Sequence, residues 1–236
     1  MKTGCLYLVP NLLGVVDPSA VLPARTQQVI QRLSHWVVET PKAARAFLRA
    51  AGVPRPIAEL SIAPLPAEPE PKALDALLAP ARSGHDIGLL SDAGAPGVAD
   101  PGAVLVAAAH AAGVQVVPLV GPSAILLGLM AAGMNGQRFT FHGYLPVKPD
   151  ARDAALQRLE QRSRDEGATQ LFIETPYRNV AMIEALARVL KPATSVCVAA
   201  DLTLDTETVE RRPAASWRRE DAGRFDRRPA LFLLLA

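Results

Sequence analysis

Ser91, Asp92, Gly94, Gly97 and Asp100 stand close together in a segment that holds three Gly, two Pro and two Asp between residues 91 and 102. Gly lets backbone come close to a ligand, and Asp supplies a charge or an acceptor. The apolar run Ile87–Leu90 before it has the composition of a buried parallel strand. The apolar stretch 103–112 after it has a helical pattern, with Asp100 as N-cap and Pro101 at the first helical position. In open α/β sheets ligands sit outside the carboxyl ends of strands, where such loops pass. A binding loop is therefore expected here; a tight strand-to-helix turn without a ligand is the other reading.

Three further loops share this composition. Gly121, Pro122, Ser123 and Ala124 follow a strand-like segment and open an apolar helix, whose free N–H groups suit a carboxylate or phosphate. A domain hinge with an ordinary cap fits the same residues. Glu174, Thr175, Pro176, Tyr177 and Arg178 again join a strand to a helix; Arg178 can grip an anion or pair with Glu174. Glu39, Thr40 and Pro41, with Arg45 beyond them, repeat the theme; a plain helix cap with a solvent-facing Arg45 is the other reading, and the simpler one.

The elements that position these loops alternate between strand and helix, as in βαβ units. Strands are expected at Cys5–Val9, 35–39, 59–62, Ile87–Leu90 and 115–119, with helices at 26–33, Pro41–Ala50, before Arg82, and at 103–112. After a boundary near 120 come a helix at 125–132 and strands at 138–143, 170–174, Ser195–Ala200, 206–211 and Ala230–Leu235. Helices at 152–164 and 178–190 separate the first three of these strands. The segment from Ser195–Ala200 to 206–211 is too short for a helical crossover, so those strands should run antiparallel. The expected fold is α/β in two domains: residues 1–120 with a mostly parallel sheet, and residues 121–236 with a mixed sheet.

Composition excludes several classes. Of 236 residues half are apolar and the net charge is only +2, so no global field draws the chain to nucleic acid or membrane. Pro10 and Asn11 cut the run that starts at Leu6, so it reads as a strand rather than a leader, and no apolar run is long enough to span a bilayer. A cytoplasmic chain with no membrane partner is expected. Cys5 and Cys197 fall on separate strands and read as free thiols. There is no G-x-G-x-x-G after the first strand, no Walker loop and no G-x-S-x-G elbow. His35, His85, His110 and His142 are scattered singly, so no metal is expected; His142 is the one near a plausible cleft. Arg211, Arg212, Arg218, Arg219, Arg224, Arg227 and Arg228 cluster around Trp217. That cluster reads either as a phosphate stripe with a stacking ring or as a solvated surface segment.

Ser91 to Pro96 (Ser-Asp-Ala-Gly-Ala-Pro), Ala99 to Gly102 (Ala-Asp-Pro-Gly), Val-Gly-Pro-Ser-Ala, Phe-His-Gly-Tyr-Leu-Pro, Glu-Thr-Pro-Tyr-Arg and Ala-Asp-Leu-Thr together resemble the tetrapyrrole methylase superfamily. The nearest branch is similar to the ribosomal RNA small subunit methyltransferase I group. The resemblance runs over nearly the whole chain. It implies an S-adenosylmethionine-dependent methyltransferase of two α/β domains, a homodimer, with the cofactor in the cleft between domains. By motif, cofactor contacts fall on Ser91, Asp92, Ala93, Gly94, Val98, Ser123 and Ala124, then on Phe172, Glu174, Ala200, Pro229 and Ala230. Substrate contacts fall on Arg45, His142, Tyr177 and Arg178. Departures occur where that group carries Asp-Thr-Arg after the second-strand Glu, here Thr40-Pro41-Lys42, and Arg-Glu-Leu-Thr-Lys, here Ala200 to Leu204.

Methyl transfer from a sulfonium needs in-line positioning and partial desolvation. A hydroxyl acceptor also benefits from a base, for which Glu39, Asp100 and Glu174 are candidates. Acceptors to be weighed are a ribose 2′-hydroxyl in RNA and a tetrapyrrole or other small metabolite. A catalytically silent cofactor-binding module is the reading outside enzymes.

Overall fold

A computed structural model describes residues 3–236, and the chain divides into two compact units, 1–123 and 124–236. The first unit holds β1 (Cys5–Val9), α1 (Pro18–Val21), α2 (Ala24–Arg32), β2 (His35–Val38), α3 (Pro41–Ala50), β3 (Ser61–Pro64), α4 (Pro71–Arg82), β4 (Ile87–Leu90), α5 (Gly102–Ala111) and β5 (Gln115–Pro118). Its five strands are all parallel, in the order β3-β2-β4-β1-β5. Successive side chains of a strand point to opposite faces, so Val38 and Leu90 pack with α2 and α3, while Val37 and Leu89 pack with α4 and α5. Helices thus cover both faces, which is why β4 is buried at every position. Gly88 is there for a packing reason: a Cβ would lie 2.6 Å from the ring of Trp36, its fully buried partner on β2.

Pro71 and Pro41 occupy the first positions of α4 and α3, where a missing N–H is harmless. The segment 59–62 does not enter β3 from its start; residues Ile57–Glu59 form a 3-10 turn because Pro56 and Pro54 break the extension first.

From β1 the chain heads toward β2, beyond β4; from β4 it heads toward β5, beyond β1. The two connections leave in opposite directions, so the β1–β4 pair is the topological switch point, where such sheets open a crevice at their carboxyl ends.

The second unit holds α6 (Ala124–Ala132), β6 (Phe139–Tyr144), α7 (Pro149–Glu166), β7 (Thr169–Ile173), α8 (Asn179–Val189), β8 (Ser195–Ala200), β9 (Thr208–Pro213), α9 (Arg219–Ala222) and β10 (Ala230–Leu235). Its sheet runs β6-β7-β10-β8-β9, with only β6 and β7 parallel. The hairpin of β8 and β9 is antiparallel, as its short connection requires. One face packs under α7 and α8, with Phe172 stacked on Phe232; the other carries Leu171, Cys197, Leu231 and Leu233 against α6. Because β10 is antiparallel to β7 and β8, its start lies beside their ends, with Ala230 opposite Ala200 and Leu231 opposite Ile173.

The Gly121 region belongs to the first unit. A Cβ on Gly121 would lie 2.2 Å from Cγ of Pro10, and Thr26 Oγ1 donates to the carbonyl of Val120 at 2.8 Å, so this loop is packed down rather than left as a free hinge.

Candidate functional site

At the switch point of the first unit, Asn11 joins the two strand exits. Its N–H donates to the Gly94 carbonyl (2.9 Å), and the Gly94 N–H returns to the Asn11 carbonyl (3.2 Å). The buried Asn11 amide donates to the carbonyls of Ser91 (2.8 Å) and Asp92 (3.1 Å). Ser91, also buried, turns its hydroxyl onto the carbonyls of Ala93 (3.1 Å) and Gly94 (3.3 Å). The loop is therefore held from inside, which leaves Asp92 and Ala93 exposed at its crest. Gly94 (φ 70) and Gly97 (φ 81) take left-handed conformations that a side chain would disfavour.

Asp100 braces the second half of the loop. It accepts from Gly97 N–H with both oxygens at 2.9 Å and from Gly102 N–H at 2.6 Å, the latter being the bond an N-cap makes two residues on. Pro101 already has right-handed helical angles. Beside it Ala99 is held at φ 62, uncommon for a residue with a Cβ. Val98 is half-exposed.

Glu39 and Thr40 close on the same loop. Glu39 Oε2 accepts from Asp92 N–H (3.0 Å), and the Asp92 carboxylate accepts from Thr40 N–H (3.1 Å) and Oγ1–H (2.6 Å). This reciprocal latch ties β2 to β4. Arg45 lies a turn into α3, exposed, with Arg49 beside a groove of the β3 edge. Ser123 ends the unit, and Ala124 starts α6, whose first-turn N–H groups have no carbonyl within the helix.

In the second unit the ends of β7 and β8 and the start of β10 form one rim. Glu174 is buried and accepts from Thr175 N–H (2.7 Å), Thr175 Oγ1–H (3.2 Å) and the Arg178 guanidinium. Glu174 and Arg178 thus form an ion pair, while Tyr177 between them is 69% exposed. The side chain of Phe172 lies in the core, so only its backbone could face a ligand. His142 bonds Gln170 at 2.7 Å across β6 and β7. Ala200 is buried at the end of β8, and Pro229 accepts from Asp201 N–H at 3.0 Å.

Several residues that organise this rim carry no strong signal in the chain. Asn179 is fully buried and donates to the carbonyls of Phe225 (2.8 Å) and Arg228 (2.7 Å), tethering the loop before β10. Asp201, at φ 52, accepts from Arg228 Nε (2.7 Å) and Thr206 Oγ1 (2.8 Å). In the first unit Asn11 is equally silent, a lone Asn after Pro10 that reads as a turn; Thr40 belongs to the loop singled out with Glu39, but reads there as a cap.

The arginine cluster is not a stripe with a stacking ring. Trp217 is 4% exposed, edge-on to Phe225, with Arg212 5.1 Å above it. Arg212 and Arg224 are paired with Glu210 and Asp221, and Arg219 lies 3.2 Å from Glu184. Glu184 and Asp201 fold back onto the basic run from a distance in sequence, and Glu210 and Asp221 pair with it from close by. Among the described residues no group of three or more His, Cys, Asp or Glu could hold a metal, and no helix is long and apolar enough to cross a membrane.

Each rim, taken by itself, offers groups for a polar ligand. In the first unit, the left-handed Gly94 and Gly97 put no side chain on the loop. In the second, Asn179 Oδ1, Arg178 Nε and Thr203 Oγ1 are buried polar atoms with no partner in the protein, near the ends of β7 and β8. Buried polar groups ordinarily find one.

The family model for tetrapyrrole (corrin/porphyrin) methylases matches residues 21–217, and the chain belongs to that family. It is an S-adenosylmethionine-dependent methyltransferase. Among its relatives, the ribosomal RNA small subunit methyltransferase I of Xylella fastidiosa strain Temecula1 is 32% identical over 98% of this chain and 81% of its own length. That of Escherichia coli O157:H7 is 33% identical over 94% of this chain and 74% of its own. In fold the chain is similar to the methyltransferase CobJ (TM-score 0.65, 19% identity, 99% of this chain and 94% of that one). It is also similar to uroporphyrin-III-C-methyltransferase from Thermus thermophilus (TM-score 0.58, 19% identity, 100% and 93%).

Proposed function

We propose that this methyltransferase acts on RNA of the small ribosomal subunit, in the cytoplasm, with a ribose 2′-hydroxyl as acceptor. The observation that carries this reading is the 32–33% identity, over almost the entire chain, to two enzymes named for that substrate. The likeness to CobJ and the uroporphyrin enzyme is a likeness of fold, and fold alone does not choose a substrate.

S-adenosylmethionine supplies a methyl group activated by its sulfonium. The residues proposed to hold it are Ser91, Asp92, Ala93, Gly94 and Val98 in the loop after β4, Ser123 and Ala124 at the start of α6, and in the second unit the backbone of Phe172 and Glu174 with Ala200, Pro229 and Ala230. Their part is to bind and orient through backbone groups, with Asn11 and Asp100 keeping the loop in shape.

Of the three carboxylates, Glu39 is the proposed base. It is exposed, and only Oε2 is engaged, by the Asp92 N–H. Asp100 has both oxygens on loop N–H groups, and Glu174 would have to release Arg178. For the substrate we propose Tyr177 and Arg45, both exposed; Arg178 and His142 act by positioning, through Glu174 and Gln170.

A homodimer is proposed through α6. This helix has no charged residue; Gly128 and Leu129 pack on the sheet, while Leu126 and Met130 are 54% and 77% exposed. A helix apolar all round calls for cover on its outer side as well.

The test is transfer of labelled methyl from S-adenosylmethionine to small subunits from a strain deleted for its own enzyme. Label in a 2′-O-methylated nucleotide after digestion is the expected result. Label in no RNA fraction, with label appearing in small molecules of the extract, would overturn the reading.

A further inference from the structure

In the C-terminal arginine cluster of the second unit, Arg212 and Arg224 are paired with Glu210 and Asp221, and Arg228 with Asp201. The first unit contrasts with this on α3. Lys42, Arg45 and Arg49 are exposed, and among the described residues none is in an ion pair. At spacings of three and four they form one stripe of the helix, opposite Ala44, Phe47 and Leu48, which are buried. Arg55, also exposed, follows in the next loop, and Glu59 is the lone acid between Thr40 and Ile62.

Such a stripe is unfavourable for the helix by itself. Like charges three and four residues apart repel by a few tenths of a kcal/mol per pair, and Lys42 in the first turn opposes the helix dipole. α3 itself carries no acid to offset the repulsion, and the carboxylates at its start, Glu39 and Asp92, are engaged in the latch with Thr40. Arg45 and Arg49 overhang a groove of about 280 Å³ whose other walls are Ile57, Ala58, Leu60 and Ile62. Guanidinium forks above an apolar floor suit phosphates on one side and a ribose or base on the other. Lys42 to Arg49 spans about 10 Å of helix axis, comparable to about three nucleotide steps. The stripe starts three residues after Glu39, at the latch between Thr40 and Asp92.

We propose that the α3 face formed by Lys42, Arg45 and Arg49, continued by Arg55, is a phosphate track for the RNA strand flanking the methylated nucleotide. It rests on the RNA reading above and names where that RNA is held.

The experiment is filter binding of deproteinised small-subunit ribosomal RNA to the full chain over a salt series. Wild type is compared with the triple variant K42Q, R45Q and R49Q, and with R218Q/R219Q. The track requires the triple variant to bind about a hundredfold more weakly near physiological salt, with a log–log salt slope shallower by about two to three. S-adenosylmethionine affinity by calorimetry should stay unchanged. R218Q/R219Q should alter the slope less. The double variant R45K/R49K should keep most of the slope, because charge is retained. If wild type binds with a steep slope and the triple variant matches it, the track is overturned while the RNA reading stands. If wild type shows no salt-dependent RNA binding, both fall. Should the triple variant lose its thermal transition, R45Q and R49Q singly carry the test, each expected to lower the slope by about one.

Discussion

Glu39, Asp100 and Glu174 carry the same functional group in three surroundings: one free oxygen at the surface, two oxygens clamped on loop amides, and a buried pair with arginine. Glu39→Gln should keep the bond from Asp92 N–H, since an amide oxygen accepts as well, while removing the base. We expect unchanged S-adenosylmethionine affinity in calorimetry and a single-turnover methylation rate down by about a hundredfold or more. A rate within a few-fold of wild type would dismiss Glu39 as base.

His35 gives a pH prediction of a different kind. Burial, and then the neighbouring His85 ring 5.2 Å away, push the His35 pKa below its ordinary 6.5. The folded chain therefore resists a proton that the unfolded chain takes up. The contribution is fully present above about pH 6.5 and is lost as pH falls through the lower, folded value. The drop in melting temperature between about pH 7 and pH 5 should be smaller in His35→Gln than in wild type.

At the scale of elements, the loop after β4 depends on the loop after β1. Asn11→Ala leaves the carbonyls of Ser91 and Asp92 without their buried donor. The expected loss is about 1–3 kcal/mol in urea unfolding, with weaker S-adenosylmethionine binding because the crest is no longer held. Retained affinity at reduced stability would separate the brace from the site. Gly121→Ala drives a methyl into Pro10, and overpacking of this sort costs about 1–3 kcal/mol. Its effect should appear in the unfolding of the first unit.

For the molecule as a whole, a net charge of +2 means that attraction to RNA has to come from where charge is left unpaired rather than from the sum. Surface apolarity is likewise local. Replacing Leu126 and Met130 together by Glu should convert the proposed dimer into a monomer at micromolar concentration in sedimentation, with the melting temperature nearly unchanged. A wild-type monomer would remove the dimer from the account.

The chain by itself determined the alternation of strands and helices, because periodicity and punctuation by Gly, Pro and Asp act over a few residues. Cys5–Val9, Ile87–Leu90, Ser195–Ala200 and Ala230–Leu235 form where their apolar runs lie. The loops between Ser91 and Gly102 and between Glu174 and Arg178 likewise stand at strand ends. Only the tertiary structure decided what each polar side chain meets. β1 lies between β4 and β5, which brings Asn11 to Gly94 across more than eighty residues, and no local pattern encodes that neighbour. Trp217 goes inward because Phe225 and Arg212 enclose it, and Arg228 is engaged because Asp201 folds back onto it. Charge and hydrogen-bonding capacity belong to a residue type, but whether they are free or satisfied depends on partners brought in by the packing of distant segments.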